Sequence, residues 1–166
     1  MKPILVMTIV CVSLFLKTNI TNAQSNCDDV KKENEYLKKA LHISTPTKTV
    51  TTANIDFNII KLEGNTKDQS VTLHMTFVNH NANEAIQYYE IRAIDVEGNE
   101  YKGENRSIGS SGSRNTLYTD TPVKSTVTFH KVLPSVKMMK LIHIEFLYEK
   151  PSNVEIEFKD LPITWK

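Results

Sequence analysis

The chain from Ala53 onward alternates apolar and polar residues in short runs. The clearest run is VTLHMTFVN, in which every second side chain from Val71 to Phe77 is apolar and the residues between them are polar. A period of two is typical of strands that bury one face of a sheet. Similar runs recur as far as Trp165 and predict seven to nine strands. We expect an antiparallel, immunoglobulin-like β-sandwich over residues 53–166, because two facing sheets bury that many alternating faces.

Two interruptions break this pattern. In the run AIQYYEIRAIDV the alternation slips at Tyr88–Tyr89, which predicts a β-bulge. Further on, the sequence ENRSIGSSGSRN predicts a long loop over residues 104–115. This loop is interpreted either as a mobile connection or as a recognition loop, since loops at sandwich ends carry binding in many folds. The candidate recognition residues are Arg106, Ser110, Ser111 and Arg114, whose two arginines suit an anionic ligand.

A different period precedes the strands. In CDDVKKENEYLKKALHIS the residues Cys27, Val30, Asn34, Leu37 and Leu41 follow alternating steps of three and four. This is the heptad spacing of a coiled coil, with Asn34 at an a position, where a buried asparagine favours a parallel dimer in register. Parallel register brings the two copies of Cys27 together, so that a disulfide forms in an oxidising compartment. We therefore predict a disulfide-linked homodimer through these five residues.

The same helix, predicted within residues 24–44, has other interpretations. A coiled coil of this length is marginal on its own, because a short helix gains little from its own hydrogen bonds. In the first alternative the helix packs on its own domain and Cys27 is a free thiol. In the second the helix binds a different protein. The Thr-rich sequence that follows, residues 45–52, is interpreted as an extended linker to the strands.

The first 23 residues have the order of a secretory signal peptide. Lys2 precedes a mainly apolar run of 13 residues, and the segment ends in the small-residue sequence TNA. Cleavage after Ala23 would leave residues 24–166 as a secreted or periplasmic protein. The apolar run is shorter than the roughly 20 residues that span a membrane. An uncleaved anchor is the alternative, and it is the one membrane attachment that the sequence suggests.

Composition narrows the range of partners. Without Lys2 and Lys17 the chain has 18 basic and 19 acidic residues, which gives no general attraction to nucleic acid or to an anionic membrane. Cys11 leaves with the signal peptide, so Cys27 is the one remaining cysteine and no disulfide within the chain can form. The expected partners are therefore a second copy of the chain and an unidentified protein or glycan.

The sequence contains no recognisable catalytic or cofactor motif. The glycines and serines of residues 109–113 miss the spacing of a nucleophile elbow, and no helix follows them. The histidines lack the close spacing of metal ligands, although a zinc site shared by His74 and His143 on one sheet stays open as an alternative. We therefore expect a non-enzymatic protein with no catalytic residues, no cofactor and no resident metal.

Four stretches of the β region resemble a known group of domains. The sequences VTLHMTFVN, DVEGNEY, PVKSTVTF and VLPSVKMMKLIHIEF are similar to those of small immunoglobulin-like domains of exported bacterial proteins. The resemblance covers Ala53 to Lys166 and implies a binding or assembly role at the cell envelope, not catalysis. The immunoglobulin-type disulfide is absent, so the resemblance implies only the sandwich architecture.

Three functions follow from these observations. The first is an exported binding or interaction module whose disulfide-linked dimer presents two β-sandwiches and gains avidity on a repeating target. The second is a structural subunit of a cell-envelope assembly, whose exposed strand edges accept a strand of a partner. The third is a hydrolase with an unrecognised site, for which Ser111 and Arg114 are the residues to replace.

Overall fold

The computed structural model describes residues 28–36, 45–148 and 153–166. The chain divides into two compact units, Met1–Ser44 and Thr45–Lys166. The predicted signal peptide, together with Cys27, Leu37 and Leu41 of the predicted dimer seam, lies outside the described residues.

In the first unit, residues 28–36 form an α-helix, α1, all of whose residues are exposed. The helix contains two of the heptad positions, Val30 and Asn34, and the Val30 side chain is 52% exposed. A helix in this part of the chain was predicted, and the dimer through it stays a prediction. Among the residues that the structure describes, no helix has the length and hydropathy needed to cross a bilayer.

The described part of the second unit is built from nine strands. In chain order they are β1 (Lys48–Thr52), β2 (Ile55–Asn65), β3 (Ser70–Asn79), β4 (Glu84–Asp95), β5 (Glu100–Ile108), β6 (Arg114–Leu117), β7 (Val123–His130), β8 (Met138–Tyr148) and β9 (Val154–Trp165). All but one of their pairings are antiparallel. The prediction of a mainly β, largely antiparallel domain is confirmed.

The two sheets join along both edges, which differs from the immunoglobulin-like β-sandwich that was expected. Pairing runs around the domain in the order β2-β3-β7-β5-β4-β8-β9 and returns to β2, while β1 adds to β2 and β6 adds to β4. At one edge β5 pairs with Arg92–Ile94 of β4. At the other edge β9 pairs in parallel with Leu62–Gly64 of β2. The seven strands therefore form a closed barrel.

Closure requires β5 and β9 each to leave one sheet and join the other. In β5 the crossing is at Gly103, where an added Cβ would lie 2.7 Å from Cβ of Ile91. Only glycine leaves room for the two sheets to approach so closely. In β9 the crossing lies between Pro162, which still pairs with β8, and Ile163, which pairs with β2. Two residues before Pro162, Asp160 has a φ of 55°, a left-handed conformation that aspartate tolerates better than most residues. Alternation in the sequence does not reveal such crossings, because it reports only which side chains point inward.

The core contains the side chains that alternation predicted to point inward. Phe57 and Phe77 from one sheet meet Tyr88 and Phe146 from the other, with ring centroids 4.9–6.3 Å apart in stacked and edge-on pairs. The Tyr88 hydroxyl is buried and lies 2.5 Å from Oγ of Ser125, so its polar group is satisfied. Such aromatic contacts hold the two sheets at a fixed separation.

The predicted linker is partly a strand. Residues 48–52 form β1, and each of the five pairs with a residue of β2. Of its side chains, Val50 packs against the core. An edge strand that buries one side chain shows little apolar alternation, which explains why the sequence suggested a free connector. The bulge predicted at Tyr88–Tyr89 is confirmed by a register shift between Tyr88 and Glu90.

Candidate functional site

The outer face of β2, β3 and β7 carries an open groove of about 780 Å³. We call it the polar groove, because every residue of its lining except Gly64 has a polar or charged side chain. The lining residues are Glu63, Gly64, Asn65, Thr66, Lys67, Asp68, Ser70, Thr72, His74, Thr128, His130 and Lys166.

Strand register places these polar side chains in rows across the sheet. In one row Thr72 of β3 lies opposite Glu63 of β2 on one side and Thr128 of β7 on the other. In the next row His74 lies between Lys61 and Thr126. Residues two apart on a strand point to the same face, so alternate positions of three strands form one continuous polar surface.

Hydroxyl groups bond to one another along these rows. Oγ1 of Thr72 lies 3.3 Å from Oγ1 of Thr128, and Oγ of Ser107 lies 2.8 Å from Oγ1 of Thr126. Thr72, Thr126 and Thr128 are half-buried, so their rotamers are restricted. A hydroxyl has one donor and two acceptor sites, and one bond leaves each of these groups able to bind a further partner.

Glu63 lies between two lysines at one side of the groove. Nζ of Lys166 is 2.8 Å from its Oε1, and Nζ of Lys61 bonds to its Oε2. These two hydrogen bonds, from Lys166 first and then from Lys61, lower the pKa of Glu63 to about 2. A carboxyl group held ionised in this way cannot serve as a general acid near neutral pH.

The backbone of Lys166 is fixed at the groove. Its N–H donates to Gly64 O at 2.9 Å, and its carbonyl accepts from the N–H and the hydroxyl of Thr66 at 3.1 and 2.8 Å. Gly64 in turn faces the ring of Trp165, where an added Cβ would lie 2.4 Å from two ring carbons. The parallel pairing of β2 with β9 therefore positions the Lys166 ammonium beside Glu63.

His74 is a half-buried imidazole in the same groove. Its pKa is lowered, first by burial and then by the positive charge of Lys61, while Glu63 acts in the opposite direction and Lys166 lowers it further. His74 is therefore a neutral donor and acceptor at pH 7. His130, at the end of β7, lies 3.1 Å through Nε2 from Nδ2 of Asn105.

The predicted recognition residues do not lie in one long loop. Strand β5 continues to Ile108, and a turn of residues 109–113 leads directly into β6. Arg106 is in β5, where Nη1 donates to the carbonyl of Tyr89 at 3.0 Å, and so it satisfies the backbone of β4 at its bulge. Arg114 is an exposed residue of β6, opposite Gln87 of β4.

Ser110 and Ser111 lie in that short turn and are exposed. The sequence suggested a long loop here because its serines and glycines carry no apolar alternation. The local hydrogen bonds, Ile108 N to Gly112 O at 2.9 Å and Asn115 Nδ2 to Ile108 O at 2.9 Å, instead close a tight hairpin. The candidate recognition residues are therefore divided between β5, a hairpin turn and β6, and their role in binding stays a prediction.

The histidines suggested as a zinc pair are on different sheets. His74 is on β3, whereas His143 is on β8 and lies 3.9 Å through Nδ1 from Oε1 of Glu157. A zinc ion shared by the two is excluded by this separation into sheets. Within residues 28–36, 45–148 and 153–166, no group of three or more histidine, cysteine or acidic side chains is placed to hold a metal ion.

A second polar cluster joins three segments at another end of the barrel. His80, just after β3, lies 3.1 Å through Nε2 from Asp56 of β2 and 2.6 Å through Nδ1 from Asp120. Thr51 of β1 donates to Asp56 at 2.6 Å. Both imidazole nitrogens face carboxylates, so neither is available to activate a nucleophile, and the cluster is suited to holding segments together.

The sequence pattern contained a signal for the polar groove that was not used. The outward positions of VTLHMTFVN and VKSTVTFH hold threonines, lysine and histidine at every second residue. Their position on adjacent strands depends on the β3–β7 register, which alternation does not specify.

No family model matches the chain, and no curated protein matches it. Among solved structures, the GAE domain of yeast GGA1 has 12% identity and a TM-score of 0.39, with 68% of this chain and 96% of that chain covered. The ASH/PapD-like domain 7 of human CEP192 has 12% identity and a TM-score of 0.37, with 75% and 95% covered. At these values neither similarity carries an argument about function.

Proposed function

We propose that the chain is an exported, non-enzymatic binding module that recognises a glycan in the polar groove. The observation that carries the proposal is the register-matched set of half-buried polar side chains across β2, β3 and β7. A saccharide offers a surface of hydroxyl groups. Its best counterpart is a preorganised array of groups that both donate and accept hydrogen bonds, as threonine hydroxyls and a neutral imidazole do.

The ionisable groups of the groove support binding rather than hydrolysis. Glycoside hydrolysis uses two carboxyl groups flanking the scissile bond, one of them with a raised pKa. Glu63 has a lowered pKa, and Asp68 is bonded to Asn65 Nδ2 at 2.6 Å in the β2–β3 turn. The other hydrolase candidate, Ser111, is an exposed turn residue on a hairpin outside the groove lining.

Export and dimerisation are part of the proposal and have their support in the sequence. Cleavage after Ala23 releases the module, and the heptad residues with Cys27 join two copies, which places two grooves on one particle. Two linked sites gain avidity on a repeating glycan. The relationship to immunoglobulin-like domains of exported bacterial proteins belongs to the same proposal.

A glycan array tests the binding role. The whole chain is expected to bind a subset of glycans, and Thr72→Val or Thr128→Val to weaken that binding roughly fivefold, since each removes one hydrogen-bonding group. Thr116→Val is the matched control, because Thr116 is a half-buried threonine on β6 in the other sheet. Absence of binding to every glycan class, or equal loss in the control, would overturn the proposal.

A gel under non-reducing conditions tests the covalent dimer. The wild-type chain is expected to migrate as a dimer and the Cys27→Ser variant as a monomer, with both as monomers after reduction. Identical monomer bands without reductant would remove the disulfide from the proposal and leave the binding role to be judged by the array.

One observation favours the structural-subunit alternative. In the described part of the domain, β1 pairs with β2 on one side and with no strand on the other. An exposed edge of this kind accepts an added strand from a partner. Co-purification from membranes in a complex of fixed stoichiometry, lost in Val50→Pro and retained in Thr72→Val, would favour this function over glycan binding.

A further inference from the structure

We infer that the glycan bound in the polar groove is acidic, and that its carboxylate binds beside His74, where the ammonium groups of Lys61 and Lys166 converge. This inference rests on the proposed function and specifies its ligand class. The inference gives the groove a preference for acidic over neutral glycans, which hydroxyl groups alone would not give.

The charges at this side of the groove do not cancel. Lys61 and Lys166 both contact the single carboxylate of Glu63, which leaves a net charge of +1 for the three side chains. The two lysine side chains are 49% and 69% exposed. Lys166 lines the polar groove, and Lys61 lies beside the groove on β2, opposite His74. An ammonium has three donors and Glu63 takes one from each, so donors are left for a second anion.

The groove lining contains a second acidic side chain, Asp68. Asp68 is directed into its own turn, where its Oδ2 accepts from Asn65 Nδ2 at 2.6 Å and Oδ1 of Asn65 accepts from the Asp68 N–H at 3.4 Å. Lys67 lies in the same turn and its positive charge offsets that of Asp68, so the three lysines and two acidic side chains together have a net charge of +1. Charge complementarity at the groove therefore favours an anionic ligand over a neutral one.

The charges of Lys61 and Lys166 also affect the pKa of His74. Burial and the charges of Lys61 and Lys166 disfavour its protonated form, and Glu63 counteracts them only in part. The remaining neighbour in its row, Thr126 on β7, is uncharged. A ligand carboxylate beside His74 would supply the missing negative charge, raise the pKa of His74 and give the imidazolium an acceptor.

The experiment uses the whole chain on an array of uronic-acid oligosaccharides. Each oligosaccharide is printed beside its carboxyl-reduced form, which has the same linkage and no charge. We expect at least about tenfold tighter binding to the acidic forms, as charge-assisted hydrogen bonds imply. Lys166→Gln and His74→Gln should lower this preference, and Lys102→Gln, an exposed lysine on β5, should not.

A nuclear magnetic resonance titration of the His74 ring localises the carboxylate. The acidic oligosaccharide is expected to raise the pKa of His74 and its carboxyl-reduced form to leave that pKa unchanged. Equal binding of the acidic and reduced forms overturns the inference and leaves the glycan-binding role intact. If the chain binds neither form and no other glycan, both the inference and the proposed function are overturned. An acid preference that survives in Lys166→Gln and His74→Gln places the carboxylate elsewhere and overturns the inference alone.

Discussion

His80 and Asp120 join the segment after β3 to the segment before β7, with Nδ1 of the imidazole 2.6 Å from Oδ1 of the carboxylate. The other ring nitrogen, Nε2, lies 3.1 Å from Asp56 on β2. A neutral imidazole has one N–H donor, so only the protonated ring can donate to both carboxylates. One side chain therefore ties three segments together only while it is charged.

The first prediction concerns the pH dependence of this contact. The hydrogen bond that His80 donates to Asp56, followed by the one it donates to Asp120, raises the pKa of His80. A raised folded-state pKa means that the stabilisation is complete below the ordinary value, about 6.5, and is lost as pH rises through the raised value. We expect the melting temperature of the wild type to exceed that of His80→Gln at about pH 5.5, and the difference to shrink by about pH 9.

The carboxylate of Asp56 determines the lowest pH at which its contact with His80 stabilises the fold. The hydrogen bond from Thr51, and next that from His80, lowers the pKa of Asp56. Its stabilisation is present above the ordinary value for aspartate, about 4, and is lost as pH falls through the lowered pKa. A difference between wild type and His80→Gln that stays constant from acid to alkaline pH would contradict the predicted role of His80.

The second prediction tests, in the absence of a ligand, how neighbouring charges shift the pKa of His74. Burial and Lys61 lower the pKa of His74, whereas Glu63 raises it. Lys61→Gln should therefore raise the pKa of His74, and Glu63→Gln should lower it. The ring signals of His74 in a nuclear magnetic resonance titration give both values, with Lys102→Gln as the control. Shifts in the same direction for both variants would contradict the charge arrangement described for the groove.

The third prediction concerns the crossing of β5 between sheets. A Cβ at Gly103 would lie 2.7 Å from Cβ of Ile91 and 2.8 Å from Cγ1 of Val127. Overpacking of this kind typically costs about 1–3 kcal/mol, and we expect Gly103→Ala to lower the free energy of unfolding in denaturant by that amount. Gly112→Ala is the control, because no atom lies within 4 Å of its added Cβ. Equal stability of the two variants would show that the crossing has more room than the contacts indicate.

The fourth prediction concerns the hydroxyl buried between the sheets. Tyr88→Phe removes the hydrogen bond to Ser125, while Oγ of Ser125 keeps its bond to the carbonyl of Ser107 at 2.7 Å. No polar group is left without a partner, so we expect a loss of about 0.5–1.5 kcal/mol in the free energy of unfolding. Ser125→Ala leaves the Tyr88 hydroxyl without this partner and should cost more. A larger loss for Tyr88→Phe than for Ser125→Ala in denaturant titrations would contradict the hydrogen bond assigned between Tyr88 and Ser125.

Alternation alone identified the long core strands of this domain and their inward faces, but not β1, the end of β5 or the start of β6. Phe57, Phe77 and Phe146 were predicted inward and are fully buried. This part is predictable because burial of one strand face is a local property, recorded in every second residue. The segment 104–115 was misinterpreted because it has little apolar alternation: residues 104–108 of β5 have one buried side chain, Ile108, and β6 has one, Leu117.

Only the tertiary structure decided which strands meet, and hence where the polar groove lies. Thr72 and Thr128 are far apart in the chain, and their contact follows from the β3–β7 register. The barrel closure depends likewise on the approach of Gly64 to Trp165 across the chain. Pairing between distant strands is set by the packing of the whole core, so a sequence pattern specifies the faces of the strands and leaves their neighbours undetermined.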